Sequence, residues 1–531
     1  MLSVTAPEVR DAAPRGASWL EAQKSWNTLL VVAVVAIAAV IRFWNLGSLG
    51  YQHWDEYYFL TNADAVSRAW PKGLGSIFWV TAPLVPYTDG TLFHLFGTSS
   101  WMPLAVSATY GTLAVVAIYL LGLRMFGYAT GLIAAAVMAT AEFSVMYSRT
   151  ALADATFDFW LITSVLCIWI AFTRRRFRYW ALAGVSSGFL LNTKYDGAFP
   201  LILAGSWLIV EFVVDLVVGR RRFVSKAWSE YAPHVAGAAA MVAIAMLLFA
   251  PWLLKLEANP GFHAMFGLET GFSNYKTPPN FIFWYYWFFT SPPTVIFAVA
   301  GIAVGLVRFT RADRLMLVYT VGWFGAILLF DAYPREALSL LPAVAMWAGR
   351  AVVEAWRLAH AWWPRHSRTA AGISAACASV VLIGQFLPLP HLLSLRTLGY
   401  ADAVAVTDKY QATGATLLVR TQPNAFLYLH QYPYYVARPS SIRDLSGKAS
   451  AIYFMTDQTL LSHSDLMDFF TLNRDRLVVV DRVPNPLYPE VLLQPATDDR
   501  LAHLNDPPDA FRYITIWRAT GPLLYPPSWP Q

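Results

Sequence analysis

The chain is poor in charge. Asp, Glu, Lys and Arg make up 14% of its 531 residues, against about 25% in an average soluble globular protein. Cysteine is scarcer still. Cys167 and Cys377 are the only two, and both sit inside apolar runs, which argues against a disulfide framework or a cysteine metal site. The ten histidines are scattered, with no H-x-x-x-H or HExxH spacing, so no zinc-binding helix is written into the sequence. Internal repeats and long low-complexity segments are also lacking. No cleavable signal peptide is visible: residues 1–24 are polar, and the first apolar run is long, with no small-residue cleavage site. It reads as a signal anchor.

What the chain has in quantity is apolar sequence, 57% of the whole. Runs of about 17–25 apolar residues recur, long enough to cross a bilayer as helices. Eleven spans are expected, at 27–45, 101–123, 128–147, 155–173, 179–191, 197–218, 234–254, 292–308, 314–331, 337–356 and 370–388. The net charge of +6 is distributed in a way that argues against nucleic acid. Basic clusters recur after every second span: Arg124; Arg174-Arg175-Arg176-Phe177-Arg178; Arg220-Arg221-Arg222 with Lys226; Arg308, Arg311 and Arg314; Arg357, Arg365 and Arg368. Such clusters mark cytoplasmic loops. The N-terminal tail, residues 1–26, is then expected inside and the C-terminus outside.

From about Leu389 the composition changes. Short β-type runs appear at Ala415 to Val419, Ala451 to Met455, Leu477 to Val480 and Tyr513 to Trp517. Ser464 to Leu472 reads as a short helix. The expected architecture is an all-α polytopic membrane domain over 27–388, followed by a soluble extracytoplasmic α/β domain over 389–531.

Ionisable residues gather in the outer loops. The first holds Asp55 and Glu56, set among aromatics after the first span. The second reads Tyr147-Ser148-Arg149-Thr150-Ala151-Leu152-Ala153-Asp154, with Asp158 one helical turn on. The third has Lys194, Tyr195 and Asp196, and a later one runs Asp331-Ala332-Tyr333-Pro334-Arg335-Glu336. Charges this close to hydrocarbon are costly and tend to be functional. A carboxylate against an apolar wall can take a proton from an attacking hydroxyl or amine. A second can orient the acceptor or bind a divalent cation, Mg or Mn. Lys194 and Arg335 are suited to a phosphate leaving group. Structural readings stand beside these: a solvated Asp55-Glu56 loop, an Arg149–Asp154 ion pair, a packed Asp158, and Lys194 and Arg335 as snorkelling anchors. The aromatic run over Phe281 to Phe289 reads more as an interfacial helix than as a sugar platform.

The ordered series carries a resemblance. A helix ends in Arg42; Asp55-Glu56-Tyr57 follows; a helix pair contains Leu120-Leu121-Gly122-Leu123-Arg124-Met125-Phe126-Gly127; then come Tyr147-Ser148-Arg149 and Asp154. Late in the chain Tyr333-Pro334-Arg335 leads to Leu340-Leu341-Pro342-Ala343. This resembles the GT-C glycosyltransferases that use polyprenyl-phosphate sugars, such as protein mannosyltransferases and lipid A aminoarabinose transferases. The resemblance is good over about residues 27–200 and thins beyond. It implies a monosaccharide transferred, with inversion, from a polyprenyl-phosphate carrier to an extracytoplasmic lipid, glycan or protein, in a bacterial or archaeal plasma membrane. It also implies Asp55 as base or acceptor-orienting group with Glu56 beside it, Asp154 as a second site carboxylate, and Arg335 at the carrier phosphate. Arg149, Lys194 and Tyr195 join the phosphate-binding set by position. One departure stands out. Where aminoarabinose transferases carry Lys-Pro-Pro-Leu, this chain has Thr81-Ala82-Pro83-Leu84-Val85-Pro86-Tyr87, without lysine. A transporter of polyprenyl-linked glycans and a non-catalytic accessory protein remain alternatives.

Overall fold

A computed structural model describes residues 17–51, 55–78, 81–217, 224–260, 287, 290–329, 334–364, 367–395, 399–409, 416–420, 434–436, 451–456, 464–485 and 512–526. The Phe281–Phe289 run, apart from Trp287, lies outside the described residues, as do Asp331, Tyr333 and the Arg220–Arg222 cluster.

The membrane domain is a bundle of long helices. They are α1 (Ala17–Phe43), α4 (Trp101–Met125), α5 (Tyr128–Thr140) with the short α6 (Glu142–Tyr147) after it, α7 (Asp154–Arg174), α8 (Phe177–Leu191), α9 (Phe199–Val217), α10 (Val224–Glu257), α11 (Pro292–Arg308), α12 (Arg311–Leu329), α13 (Leu341–Trp362) and α14 (Ser367–Phe386). Helices lie over the windows that the hydropathy marks out, but among the described residues seven segments, not eleven, are long and apolar enough to cross a membrane. Tyr128–Thr140 and Pro292–Arg308 are shorter apolar helices. The chain is thus an integral membrane protein by length and composition of its helices. Large apolar side chains are left exposed along the helices, among them Leu30, Ile209, Leu247, Val299, Val321 and Ile383. A water-soluble bundle would bury that stripe.

Short connections make successive helices run up and down, which sorts their ends into two groups. At one end α4, α7 and α11 finish in Arg124, Arg174 and Arg308, cations that also suit the negative C-terminal pole of a helix. Buried and half-buried ion pairs close this end. Glu211 accepts from Arg314 Nε at 2.6 Å and Nη2 at 2.7 Å. Arg350 Nε reaches Asp313 at 3.3 Å, and Arg308 Nε reaches Glu354 at 3.1 Å.

The opposite end carries the segment between α1 and α4, expected from the sequence to be the first outer loop. It folds into two short helices, α2 (Glu56–Ala69) and α3 (Leu84–Phe96). Helix α2 packs Leu60 and Ala63 with Leu46, Leu49, Phe93, Leu104 and Ala108. Asn62 pins the loop that follows, through Phe78 N at 2.7 Å and Thr81 Oγ1 at 2.8 Å. Lys255, at the end of α10, donates to the carbonyls of Leu74 and Gly75 at 3.0 Å each and to Ile77. The outer loop is therefore anchored to the bundle by hydrogen bonds as well as by apolar contact.

Two short helices, α15 (Leu389–Ser394) and α16 (Gly399–Asp408), lead into a small C-terminal domain. Its five-stranded sheet has the order β2-β1-β3-β5-β4, with β1 at Thr416–Arg420, β2 at Tyr434–Val436, β3 at Ala451–Thr456, β4 at Leu477–Pro484 and β5 at Tyr513–Ala519. Strand β1 pairs in parallel with β2 and β3; β5 pairs antiparallel with β3, setting Phe454 opposite Trp517, and with β4. Ala403, Tyr453, Met455, Val483, Ile514 and Ile516 form its core. Four strands and helix α17 (Ser464–Leu472) lie where the alternation of apolar residues places them. Strand β2 is an addition; three residues are too few to show a period.

Candidate active site

Four segments far apart in sequence meet at the end of the bundle opposite Arg124, Arg174 and Arg308, and charged side chains join them. Arg335 donates from Nη1 to Asp55 Oδ2, at the start of α2. Its Nε lies 3.4 Å from Glu336 Oε1. Both Glu336 oxygens accept from Lys194 Nζ at 3.0 Å. Lys194 in turn donates to Asp154 Oδ1 at 3.1 Å and lies 4.0 Å from Asp196 Oδ2. The chain Asp55–Arg335–Glu336–Lys194–Asp154 is continuous.

Local structure explains how each group is held. Asp55 and Asp154 both stand at helix N-termini, where backbone N–H groups point outward and a negative charge is favoured. The Asp55 carbonyl accepts from Tyr58 N at 2.9 Å, so the first turn of α2 fixes its backbone. Lys194 sits in an extended bend, φ −148° and ψ 155°, between α8 and a 3₁₀ turn at Tyr195–Ala198. Gly197 allows that bend. A Cβ there would lie 2.5 Å from the carbonyl of Leu190, so only glycine lets the turn fold back onto α8. The Lys194 ammonium also lies 5.6 Å from the Phe157 ring centroid, a cation–π distance. Arg335 and Glu336 belong to a 3₁₀ segment, Pro334–Leu340, that enters α13. Trp323 Nε1 donates to the Glu336 carbonyl at 3.2 Å and holds that entry.

The side chains are largely withdrawn from solvent: 6% exposed for Asp154, 17% for Lys194 and Arg335, 21% for Glu336 and 29% for Asp55. Burial opposes the charge on Lys194, but Asp154, Glu336 and Asp196 outweigh it and hold the ammonium above its ordinary pKa. The cluster has four carboxylates, Asp55, Asp154, Asp196 and Glu336, around two cations, Lys194 and Arg335. Asp158, one turn along α7 from Asp154, is buried, and its Oδ1 has no hydrogen-bond partner among the described residues.

The expected site residues divide by position. Asp55, Asp154, Lys194 and Arg335 come together. Glu56 points elsewhere: it is 1% exposed, and its Oε1 accepts from Ala151 N at 2.7 Å, tying α2 to the loop before α7. Arg149 is buried with Nη1 on the carbonyls of Ile41, Arg42 and Trp44, at 2.9, 3.3 and 2.7 Å. It caps the last turn of α1, where a cation complements the helix dipole. Arg42 does the reverse, reaching Met138 O at 2.8 Å and Ala139 O at 2.9 Å at the end of α5, with Ser144 Oγ at 2.8 Å. Gly111 makes room, since a Cβ there would stand 2.9 Å from Arg42 Nε. Tyr195 packs beside the apolar cluster of Leu191, Ala245, Phe249 and Trp252. Glu336 and Asp196 are the members that the sequence did not single out; Glu336 makes the closer contacts. Its signal was adjacency to Arg335, since two cations in an apolar setting require counter-anions.

A divalent cation has no evident seat among these groups. Among the described residues, no cluster of three or more His, Cys, Asp or Glu is arranged to hold a metal ion. Asp55 and Asp154 already face cations.

The same architecture occurs in known enzymes. A family model described as dolichyl-phosphate-mannose-protein mannosyltransferase matches residues 80–254. The crystal structure of ArnT from Cupriavidus metallidurans bound to undecaprenyl phosphate superposes with a TM-score of 0.61 at 14% identity, covering 93% of this chain and 98% of that one. The apo oligosaccharyltransferase of Archaeoglobus fulgidus gives 0.58 at 13%, covering 83% and 70%. AglB from the same organism, in complex with an inhibitory peptide and a dolichol-phosphate, gives 0.58 at 13%, covering 82% and 70%. The fold is that of the GT-C glycosyltransferases. No curated protein matches the sequence.

Proposed function

We propose that this chain is an inverting glycosyltransferase. It takes a monosaccharide from a polyprenyl-phosphate carrier and gives it to a lipid, glycan or protein at the extracytoplasmic face of a bacterial or archaeal plasma membrane. The observation that carries this reading is the charged chain from Asp55 to Asp154, assembled at one end of the bundle from four distant segments. The ArnT structure contains undecaprenyl phosphate, which supports a lipid phosphate as ligand of this fold.

The chemistry follows from the groups present. Arg335 and Lys194 are the cations for the carrier phosphate, with arginine offering a planar fork. When Arg335 turns to phosphate, Asp55 becomes available as base. The acceptor hydroxyl or amine attacks the anomeric carbon opposite the phosphate and gives its proton to Asp55. The bond from that carbon to the phosphate oxygen breaks, and its electron pair stays on the phosphate. Direct displacement inverts the anomeric centre and needs no covalent sugar–protein intermediate. Asp154 keeps Lys194 oriented, so the gain comes from positioning and charge complementarity.

The test is a donor screen with the purified protein in lipid nanodiscs, scored by release of the carrier phosphate. Release from at least one polyprenyl-phosphate sugar is expected, and its loss in Asp55→Asn, with the variant folded and inserted. Near-normal turnover by that variant would remove Asp55 from the role. Failure of every donor would remove the transferase reading.

A further inference from the structure

Glu336 occupies the centre of the charged chain. Both of its oxygens lie 3.0 Å from Lys194 Nζ, and Oε1 is 3.4 Å from Arg335 Nε. It is therefore a carboxylate that touches both cations. Lys194 has further carboxylates in Asp154 and Asp196, and Arg335 has Asp55. Neither cation needs Glu336 merely to be neutralised, since Asp154 pairs with Lys194 and Asp55 with Arg335.

An anionic ligand entering such a site competes with the resident carboxylates. The donor is a phosphodiester with one charge. Transfer breaks the bond from the anomeric carbon to oxygen, and the phosphate keeps the electron pair, so the product is a monoester able to carry two charges. The product thus binds two cations more tightly than the donor does, which slows its departure. A carboxylate that bridges the same two cations opposes this.

Resting on the function proposed above, we infer that Glu336 is a positioning residue that acts through Lys194 and Arg335. It is an internal counter-anion that reclaims both cations as the carrier phosphate leaves, and so speeds product release. A purely structural Glu336 would hold the cations in place for phosphate, and its loss would weaken phosphate binding. A competing Glu336 has the opposite sign.

The experiment measures undecaprenyl phosphate binding to wild type, Glu336→Gln and Glu336→Asp in nanodiscs, beside single-turnover and steady-state rates. Glu336→Gln removes the charge and keeps the shape, and is expected to bind undecaprenyl phosphate about tenfold more tightly, as for one charge-assisted contact. Its steady-state kcat should fall by a similar factor while the single-turnover rate holds. Glu336→Asp keeps the charge on a shorter stem that cannot bridge both cations, and should tighten binding by a smaller factor. Should Glu336→Gln fail to fold, the aspartate variant carries the same test. Weaker or unchanged binding in either folded variant overturns the inference. No binding by the wild type would overturn the polyprenyl-phosphate reading itself, and the inference with it.

Discussion

Arg335 donates to Asp55 across 280 residues of sequence. The pair joins the entry of α13 to the N-terminus of α2, and it joins the proposed base to the proposed phosphate cation. A carboxylate held by a guanidinium is a poor base, because the cation stabilises its charged form. A donor phosphate that draws Arg335 away raises the basicity of Asp55 at the moment it is needed. Under the proposed mechanism the base is held back until donor binds.

Asp55 and Arg335 should fail in different ways. Asp55→Asn leaves the phosphate cations in place, so donor binding should persist while kcat falls on the order of 10²–10⁴-fold, the usual value of a general base. Arg335→Gln removes the cation but spares the base, so donor affinity should drop. The measurements are carrier-phosphate binding and single-turnover transfer for each variant. A loss of donor binding in Asp55→Asn equal to that in Arg335→Gln would argue against separate roles.

Glu56, the neighbour of Asp55, is expected to act on stability. Its Oε1 accepts from Ala151 N, and the side chain is 1% exposed. Glu56→Ala would leave that N–H buried and unmatched, at a cost of about 1–3 kcal/mol. Glu56→Gln keeps an acceptor and should cost less. Thermal unfolding in nanodiscs should rank wild type above Gln above Ala. Transfer rates of the folded fraction should differ far less than for Asp55→Asn.

The contrast between these adjacent acids shows what the sequence could and could not say. Helices were legible because each needs an apolar run to match the bilayer, and Arg124, Arg174 and Arg308 at their ends mark one side. The meeting of Asp55, Asp154, Lys194 and Arg335 was legible because alternating spans send all four to the same face. Direction of a side chain was not. In sequence, Arg149 looks like any other outer-loop cation; in the fold its Nη1 lies on the last carbonyls of α1. Glu336 was visible beside Arg335, but its grip on Lys194 depends on a contact 142 residues long. Strand β2 was lost for want of length.

Arg149 gives the third test. Its Nη1 lies on three carbonyls at the end of α1, and Arg149→Lys keeps the charge on a shorter side chain that reaches them less well. The expected result is a less stable protein, by about 1–3 kcal/mol for buried acceptors left unmatched, with donor affinity of the folded fraction retained. A selective loss of carrier-phosphate binding at unchanged thermal stability would place Arg149 in the substrate site instead.

Asp89 gives a pH dependence of its own. It lies on α3 of the outer loop, 1% exposed, and neither carboxylate oxygen has a hydrogen-bond partner among the described residues. Burial without a cation favours the neutral acid and pushes its pKa up to about 8. The sign follows from proton counting. Between the unfolded pKa near 4 and the folded value, the native state binds the proton and the unfolded state does not, so stability falls as pH rises. The slope is at most about 1.4 kcal/mol per pH unit for one group. Below pH 4 the contribution is complete; above about 8 it is gone. Asp89→Asn has no proton to lose, so its stability should vary less from pH 5 to 9 and exceed that of the wild type at the alkaline end. Thermal unfolding of both proteins in nanodiscs across that range decides it: parallel curves would mean that Asp89 is ionised and matched in the folded protein.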